Sequence, residues 1–561
     1  MRSAARRLAA TCVAGALAVT LAACAESERD PGTGGEGGAG GTGGTMVFGA
    51  PGAPDNFDPL FAQDGETFRP ARQIYDTLIT YRQGTSELAP ALATEWSSNP
   101  EGTEWTFTLR EGVTFHDGTP FNAEAVCFNF NRWFNLPNAA AQSQAIYYYE
   151  VFGGYANNLI EGLTDPVYNS CEAPNPTTAV VRLNRYKGAF PAAFGLTSLS
   201  ISSPTALQQY NADQIEQSGE AFTYSPYATE HPTGTGPFRF ESYDRANGTI
   251  TLVRNDQYWG EPAKVDRLIF RVIPDENARR QELQAGTIDG YDLPSPADWQ
   301  SLEDAGFDVL TRPVFNILYL GINQANNPAL ADQRVRQAIA HAIDRESLVR
   351  NQLPEGAVVA TQFMPDTVEG YNPELQPIPY DPDRARSLLA EAGASNLTVN
   401  FYYPTEVTRP YMPNPTNIFT AVAENLRQVG ITVNPIAQPW NGGYLDSVQI
   451  AGSHDLHLLG WTGDYNDAGN FLESFFGAPG PEFGLTLPED EPIIGGIARA
   501  DATVGDEAQA AAYREVNRVI MEQLPGVPLS SSPPAIVVRD GVEGLIPSPL
   551  TDERFLTVSV D

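Results

Sequence analysis

From Met46 onward, hydrophobic positions recur alternately with a period of two and a period near 3.6. Trp105, Phe107 and Leu109 alternate with Glu104, Thr106, Thr108 and Arg110, the spacing of a strand with one face against a core. Further strands are predicted over 179–183, 250–254, 268–273, 315–321, 397–402 and 456–461. Helices are equally legible. Asp381 is placed to cap a helix with Pro382 at its first position, Ala385, Leu388, Leu389 and Ala392 fall on one face of 383–392, and Gly393 ends it. A second helix is predicted from about Asp332, with Val335, Ile339, Ile343 and Leu348 on one apolar stripe. A third is predicted over 507–523, with Val516 and Ile520 inward. Strands and helices interleave without an internal repeat, which argues an α/β architecture of several lobes rather than a sandwich or a bundle.

The first 45 residues break this pattern. Arg2, Arg6 and Arg7 precede an Ala-rich apolar run over 8–23, and Leu21-Ala22-Ala23-Cys24 follows, the pattern of a bacterial lipoprotein signal peptide. The run is too short for a reliable membrane span. The next stretch is almost entirely Gly and Thr and has nothing with which to bury a helix. The expectation is a signal over 1–23, removed before Cys24, a lipidated Cys24, and a Gly-rich tether over 24–45.

Composition narrows the class. The chain of 561 residues carries 34 Lys+Arg against 69 Asp+Glu, a formal charge of −35, which repels phosphate backbones and anionic headgroups and so excludes nucleic acid as a partner. With Cys12 in the signal and Cys24 lipidated, Cys127 and Cys171 are left as a pair in an oxidising compartment, where a disulfide is expected.

Enzyme signatures are scarce. There is no GxSxG elbow, no HExxH and no phosphate loop, and GxGxxG occurs only within the Gly-rich tether, at Gly32, Gly34 and Gly37 and overlapping positions, with no strand before it. His454 and His457, on a predicted strand, fall at an odd separation that places them on opposite faces, against a metal site. No pair of carboxylates is singled out by spacing as an acid/base couple. No metal or cofactor is expected. What stands out is aromatic residues in Pro/Gly-rich connections, among them the run Tyr147-Tyr148-Tyr149, Tyr411, Trp440, Tyr444, Trp461 and Tyr465; such residues can line a small-ligand site or pack a core.

Several blocks, in order, carry a resemblance. Gly234-Thr235-Gly236-Pro237-Phe238-Arg239-Phe240 followed by Asn255-Asp256-Gln257-Tyr258-Trp259-Gly260, together with the stretch from Trp105 to His116-Asp117-Gly118, 335–345 and Gly460-Trp461-Thr462-Gly463-Asp464, is similar to the extracellular solute-binding proteins of the peptide/nickel class, family 5, which serve ABC importers. The resemblance runs from about Val47 to the C-terminus. It implies a two-lobed clamshell of the periplasmic-binding-protein type (type II) with an extra small subdomain. One lobe would comprise 46–311, including the subdomain at about 85–200, completed by 496–561; the other would be 312–495. Gly236-Pro237 would fix the turn into the Phe238 strand.

The resemblance also implies a site. Arg409-Pro410-Tyr411 and Trp461-Thr462-Gly463-Asp464 are similar to segments with which dipeptide binders grip the ends of a zwitterion, so Asp464 would take the ligand's α-ammonium and Arg409 its α-carboxylate, with Trp461, Thr462, Gly463 and Tyr411 around them. The chemistry suits those groups, because a carboxylate accepts charge-assisted bonds from an ammonium and a guanidinium matches a carboxylate in a fork. Where relatives often carry Asp-Pro after the acidic anchor, this chain has Asp467-Ala468, which points to a less restrained loop. The implied function is a non-enzymatic, monomeric, lipid-anchored binding protein that passes short peptides to the transmembrane subunits of an ABC permease. It would lie at the cell membrane facing outward, or in the periplasm where an outer membrane exists. A metal chelate, haem or sugar on the same fold, and an exported hydrolase, are the alternatives.

Overall fold

In a computed structural model the described residues are 43–561 except 220, 441, 442 and 489. The signal, Cys24 and most of the tether therefore lie outside the described residues. Among the described residues no helix is long and apolar enough to cross a membrane.

Three sheets organise the chain. The first has seven strands in the order Phe238–Asp244, Thr249–Arg254, Arg267–Val272, Thr45–Ala50, Gly290–Asp292, Ala535–Arg539 and Phe307–Thr311. The second has six, in the order Val358–Val359, Gly526–Ser531, Asn316–Ile322, Leu456–Thr462, Thr398–Thr405 and Thr432–Pro439. A third, four-stranded and antiparallel, is built from Ala93–Ser98, Glu104–Leu109, Thr178–Leu183 and Tyr168–Asn175.

Two short connections join the first two sheets, 312–315 and 532–534. Each is tied to the other on both sides: the Arg312 amide donates to Pro534 O at 2.8 Å, and the Asn316 side chain exchanges hydrogen bonds with Ser532, giving 2.7 Å to its carbonyl and taking 3.1 Å from its amide. The strand Gly526–Ser531 pairs with Asn316–Ile322 in the second sheet. The return to the first sheet therefore comes at 532–534, not near 496 as the sequence reading has it. The helices Glu491–Asp501 and Asp506–Gln523 carry no strand-period signal, so the switch of sheets left no local mark at 496.

Local rules explain most elements. Asp381 accepts from the Arg384 amide and caps Pro382–Glu391 with Pro at its start, as expected. The helix from Asp332 is shorter than its stripe suggests. Gln333–Ala342 ends at Ile343, whose backbone is extended, and Arg345–Gln352 begins afresh under a cap from Asp344 to Ser347 N; the cap competes with continuation of the helix and wins. Gly236 acts through proximity. A Cβ there would fall 2.6 Å or less from the backbone of Gln73 and Ile74, so glycine is required for chain to pass chain.

The two faces of the second sheet divide the core. Leu318, Leu320, Leu456 and Leu458 pack under the helices 333–342, 382–391 and 415–428. Ile317, Tyr319, Leu459 and Trp461 face a second cluster that is continuous with aromatic residues of the four-stranded sheet and its helices, such as Phe107, Phe130 and Phe194. This second cluster runs from the small sheet to the second large one.

Cys127 and Cys171 form a disulfide, joining the helix Ala123–Phe134 to the strand Tyr168–Asn175 across a sequence separation of 44. Closing a loop of that length removes about 4 kcal/mol of unfolded-state chain entropy. Replacing both cysteines with serine is expected to lower the unfolding free energy by about that amount, read from denaturant titration. A loss below about 1 kcal/mol would show that the bridge merely decorates the subdomain.

Candidate functional site

Asp464 and Arg409 emerge from one end of the second sheet. The strands Thr398–Thr405 and Leu456–Thr462 run parallel, with Phe401 opposite Leu456 and Tyr402 opposite His457. Arg409 and Asp464 both follow the C-terminal ends of these neighbouring strands, Arg409 four residues past Thr405 and Asp464 two past Thr462. That edge is where an open α/β sheet presents ligand-contacting loops.

Neutral donors hold Asp464. Tyr147 donates to Oδ1 at 3.2 Å, Asn470 Nδ2 donates to Oδ2 at 3.3 Å, and the Asp464 amide donates to Asn470 Oδ1 at 2.8 Å. Trp461 Nε1 donates to the same Asn470 oxygen at 3.3 Å, which fixes the indole beside the acid. Asp464 forms no salt bridge among the described residues. Burial, only partly offset by Asn470 and Tyr147, pushes its carboxyl up to about 6.

Arg409 closes a tight turn with Met412, their amides and carbonyls paired at 3.1 and 2.9 Å. Its guanidinium lies over the Trp440 ring, 4.0 Å from the centroid, with Trp440 stacked on Tyr444 in turn. Its Nε is buried without a hydrogen-bond partner, and it has no carboxylate within ion-pair distance among the described residues. Acid and base thus each lack an ionic partner of their own.

The surrounding predicted residues have mixed roles. Tyr411 is buried against Gly460, where a Cβ would fall 2.4 Å from its ring. Gly463 is buried between Phe315 and Phe471, and its amide donates to Phe315 O at 3.0 Å, so its lack of a side chain serves close packing. Thr462 Oγ1 is buried and unpartnered. The loop after Asp464 is held: Asp467 caps the helix Ala468–Phe476 through the Gly469 amide at 2.7 Å. The missing proline is thereby compensated, contrary to the looser loop expected from the sequence.

Sequence reasoning missed three participants. Tyr147 lies on the helix Ile146–Phe152, and its signal was the Tyr run itself. Asn470 gave none, because its spacing of six from Asp464 and nine from Trp461 matches no motif, and Lys187 gave none because its partners are far away in sequence. Lys187 donates to Glu473 at 2.9 and 3.1 Å and lies 3.2 Å from Asp501, linking the segment after the four-stranded sheet to helices 468–476 and 491–501. The two histidines also differ from expectation. His454 precedes the strand, so the alternation does not apply; its ring meets that of His457 at 4.5 Å, and His457 Nε2 lies 3.3 Å from Glu482 Oε1. Among the described residues no group of three or more His, Cys, Asp or Glu is arranged to hold a metal ion.

The acids around Asp464 set a pH dependence. Burial pushes Glu150 up to about 8, Asp467 to about 7 and Asp501 to about 6. These groups hold protons more tightly folded than unfolded, so folding is penalised above the raised values and the penalty fades as pH falls through them. The unliganded protein is therefore expected to melt at a higher temperature at pH 6 than at pH 8.5. A midpoint that falls over that interval would contradict these environments.

Comparison with known proteins gives a consistent picture. Residues 87–482 match the model of the bacterial extracellular solute-binding proteins, family 5 (middle region). The chain is 29% identical over 528 residues to the dipeptide-binding protein of Escherichia coli (strain K12), covering 92% of this chain and 94% of that one. It is 28% identical over 565 residues to heme-binding protein A of Haemophilus influenzae, covering 99% and 100%. Among solved structures, an ABC transporter-associated periplasmic binding protein from Helicobacter pylori, in complex with the peptide STSA, superposes with a TM-score of 0.75 at 26% identity, over 92% of this chain and 98% of that one.

Proposed function

Because the chain belongs to the bacterial extracellular solute-binding proteins of family 5, we propose that it is the lipid-anchored, monomeric binding component of an ABC importer for short peptides. It would hold the ligand by its termini, Asp464 on the α-ammonium and Arg409 on the α-carboxylate. The observation that carries this reading is the pair itself: an acid and a base, in the loops that follow adjacent parallel strands, each without an ionic partner among the described residues. An ammonium would supply the charge that Asp464 lacks, and a carboxylate would accept from a guanidinium already oriented by Trp440. Trp461, Thr462 and Tyr411 would frame the ligand between the two. Relatives that bind a dipeptide and the peptide STSA by name support the substrate class.

No bond is made or broken in this role. The ligand would be sealed between the lobes, and the sealed form would be what the permease receives. Cys24, lipidated after removal of 1–23, would keep the protein at the outer face of the membrane. The haem-binding relative supplies the second reading; against it, His454 and His457 are fully buried and offer no axial ligand without rearrangement. Thermal-shift measurement on the full chain in detergent should show stabilisation by di- and tripeptides and none by haem or sugars, and Cys24→Ser should release the protein from the membrane fraction. Stabilisation by haem alone would keep the fold and replace the substrate.

A further inference from the structure

The carboxylates around Asp464 outnumber their cations. Tyr147 binds Asp464, and Glu150, three residues on along the helix Ile146–Phe152, shares its face. Asp464, Glu473 and Lys187 are the charges that act on Glu150. Lys187 is already committed to Glu473 and Asp501. Glu150 itself has no hydrogen bond or ion pair among the described residues. It is exposed and lies one helical turn from the tyrosine that binds Asp464; desolvation, together with Asp464 and Glu473, pushes its carboxyl up to about 8.

A second observation comes from two tyrosines. Tyr465 is 4% exposed, and its hydroxyl, without a hydrogen-bond partner among the described residues, faces Asp467, Glu473, Glu150 and Asp464 together. Tyr513 is 1% exposed, with its hydroxyl unpartnered beside Asp467, Glu473 and Asp501. The buried, unpaired Tyr513 hydroxyl carries a desolvation cost, and the Tyr465 hydroxyl is left without a protein partner among the described residues. Phenol and carboxylate oxygens together form the acceptor set that an ammonium or guanidinium, with three to five N–H donors, requires.

Resting on the capture of a peptide ammonium by Asp464, we propose that Glu150, with Tyr465 beside it, forms a specificity-determining subsite for a basic side chain, so that the preferred ligands are short peptides whose first residue is Lys or Arg. The second cation would ionise Glu150 and donate to the phenol oxygen, settling a surplus of negative charge that the protein leaves unbalanced. A neutral side chain would leave Glu150 protonated and the hydroxyl unpaired; an acidic one would add a further repelled charge.

Isothermal titration of the full chain in detergent at pH 7.5, with Lys-Ala-Ala, Ala-Ala-Ala and Glu-Ala-Ala, tests this. Lys-Ala-Ala is expected to bind at least about tenfold tighter than Ala-Ala-Ala, with Glu-Ala-Ala the weakest and the lysine peptide alone releasing an additional proton. In Glu150→Gln the ratio of lysine to alanine peptide should fall to near one, and Glu150→Lys should reverse the order of the lysine and glutamate peptides. Equal affinities in the unaltered protein, or a ratio that survives Glu150→Gln, would overturn the subsite and leave terminal capture standing. Binding by none of the three would overturn both.

Discussion

Asp464→Asn is expected to weaken the binding of short peptides about a hundredfold at pH 7.5 and to leave the fold intact. The substitution keeps the size of the side chain; its one carbonyl oxygen can accept from Asn470, and its NH2 can donate to the Tyr147 hydroxyl, which turns from donor to acceptor, where the two donors hold Asp464 at 3.3 and 3.2 Å. What it removes is the charge facing the ligand's ammonium. Truncating one partner of a desolvated charge pair costs about 2–5 kcal/mol in binding, much of it from the charge left unpaired, and about 2.7 kcal/mol corresponds to a hundredfold in affinity. The pH profile separates this from a structural effect. With its carboxyl at about 6, Asp464 carries a proton in acid that an ammonium must displace, so the unaltered protein should lose about tenfold in affinity between pH 7.5 and pH 5. The Asn variant should lose that component. Arg409→Ala is the complementary change; it removes the guanidinium that stacks on Trp440 and should also weaken peptide binding. An Asn variant that binds peptides as tightly as the parent would end the capture model.

Much of the architecture was legible before any coordinates, and the reasons are local. The strand at 104–109 follows from the alternation of Trp105, Phe107 and Leu109, and the helix 382–391 from a cap and a stripe a few residues apart. Asp464 and Arg409 were legible only through the resemblance of their flanking segments, because their pairing depends on parallel register between strands separated by a whole helix. What stayed hidden was non-local. Tyr147 reaches Asp464 across 317 positions, and Lys187 reaches Glu473 across 286; no spacing rule links such residues. The misplaced boundary at 496 has the same origin, since the membership of Gly526–Ser531 in the second sheet is decided by pairing with Asn316–Ile322 and not by its own residues. The break after Ala342 was, by contrast, readable in principle from Asp344, which the apolar stripe outweighed.

Arg312→Met is expected to cost about 3–5 kcal/mol of stability, as breaking a buried ion pair by removing one partner does. Arg312 is fully buried at the first connection between the large sheets. Its guanidinium donates to Glu553 at 2.7 and 3.1 Å and to Asp292 at 2.8 Å, and Asp292 also accepts from Arg69 at 2.6 Å. Glu553 in turn accepts from the Ser548 amide at 3.0 Å. Four separate stretches of the chain, around 69, 292, 312 and 548–553, are thus joined in one network, and the two arginines hold the Asp292 carboxyl well below the usual carboxylate range. The sign follows. A depressed carboxyl contributes stability that is present above its unfolded value and lost as pH falls toward the folded one, so this network holds through neutral pH and weakens only in strong acid. In Arg312→Met, Glu553 loses its only ion-pair partner among the described residues and stays buried, whereas Asp292 keeps Arg69. Adding Glu553→Gln should therefore recover part of the loss, a non-additivity of about 1–3 kcal/mol in a double-mutant cycle; strictly additive effects would mean that the residues do not act as a unit. The consequence reaches function. With Arg312 and Pro534 anchored to the first sheet, and Asn316 bonded to Ser532 beside the second, only 313–315 and 532–533 are left to absorb a change of angle between the lobes. Pro313 and Pro533 each fix a φ there. Any rotation between the two large sheets would thereby be confined to a few neighbouring bonds, and the proposed anchors Arg409 and Asp464, past strands 398–405 and 456–462, would move together with the second sheet.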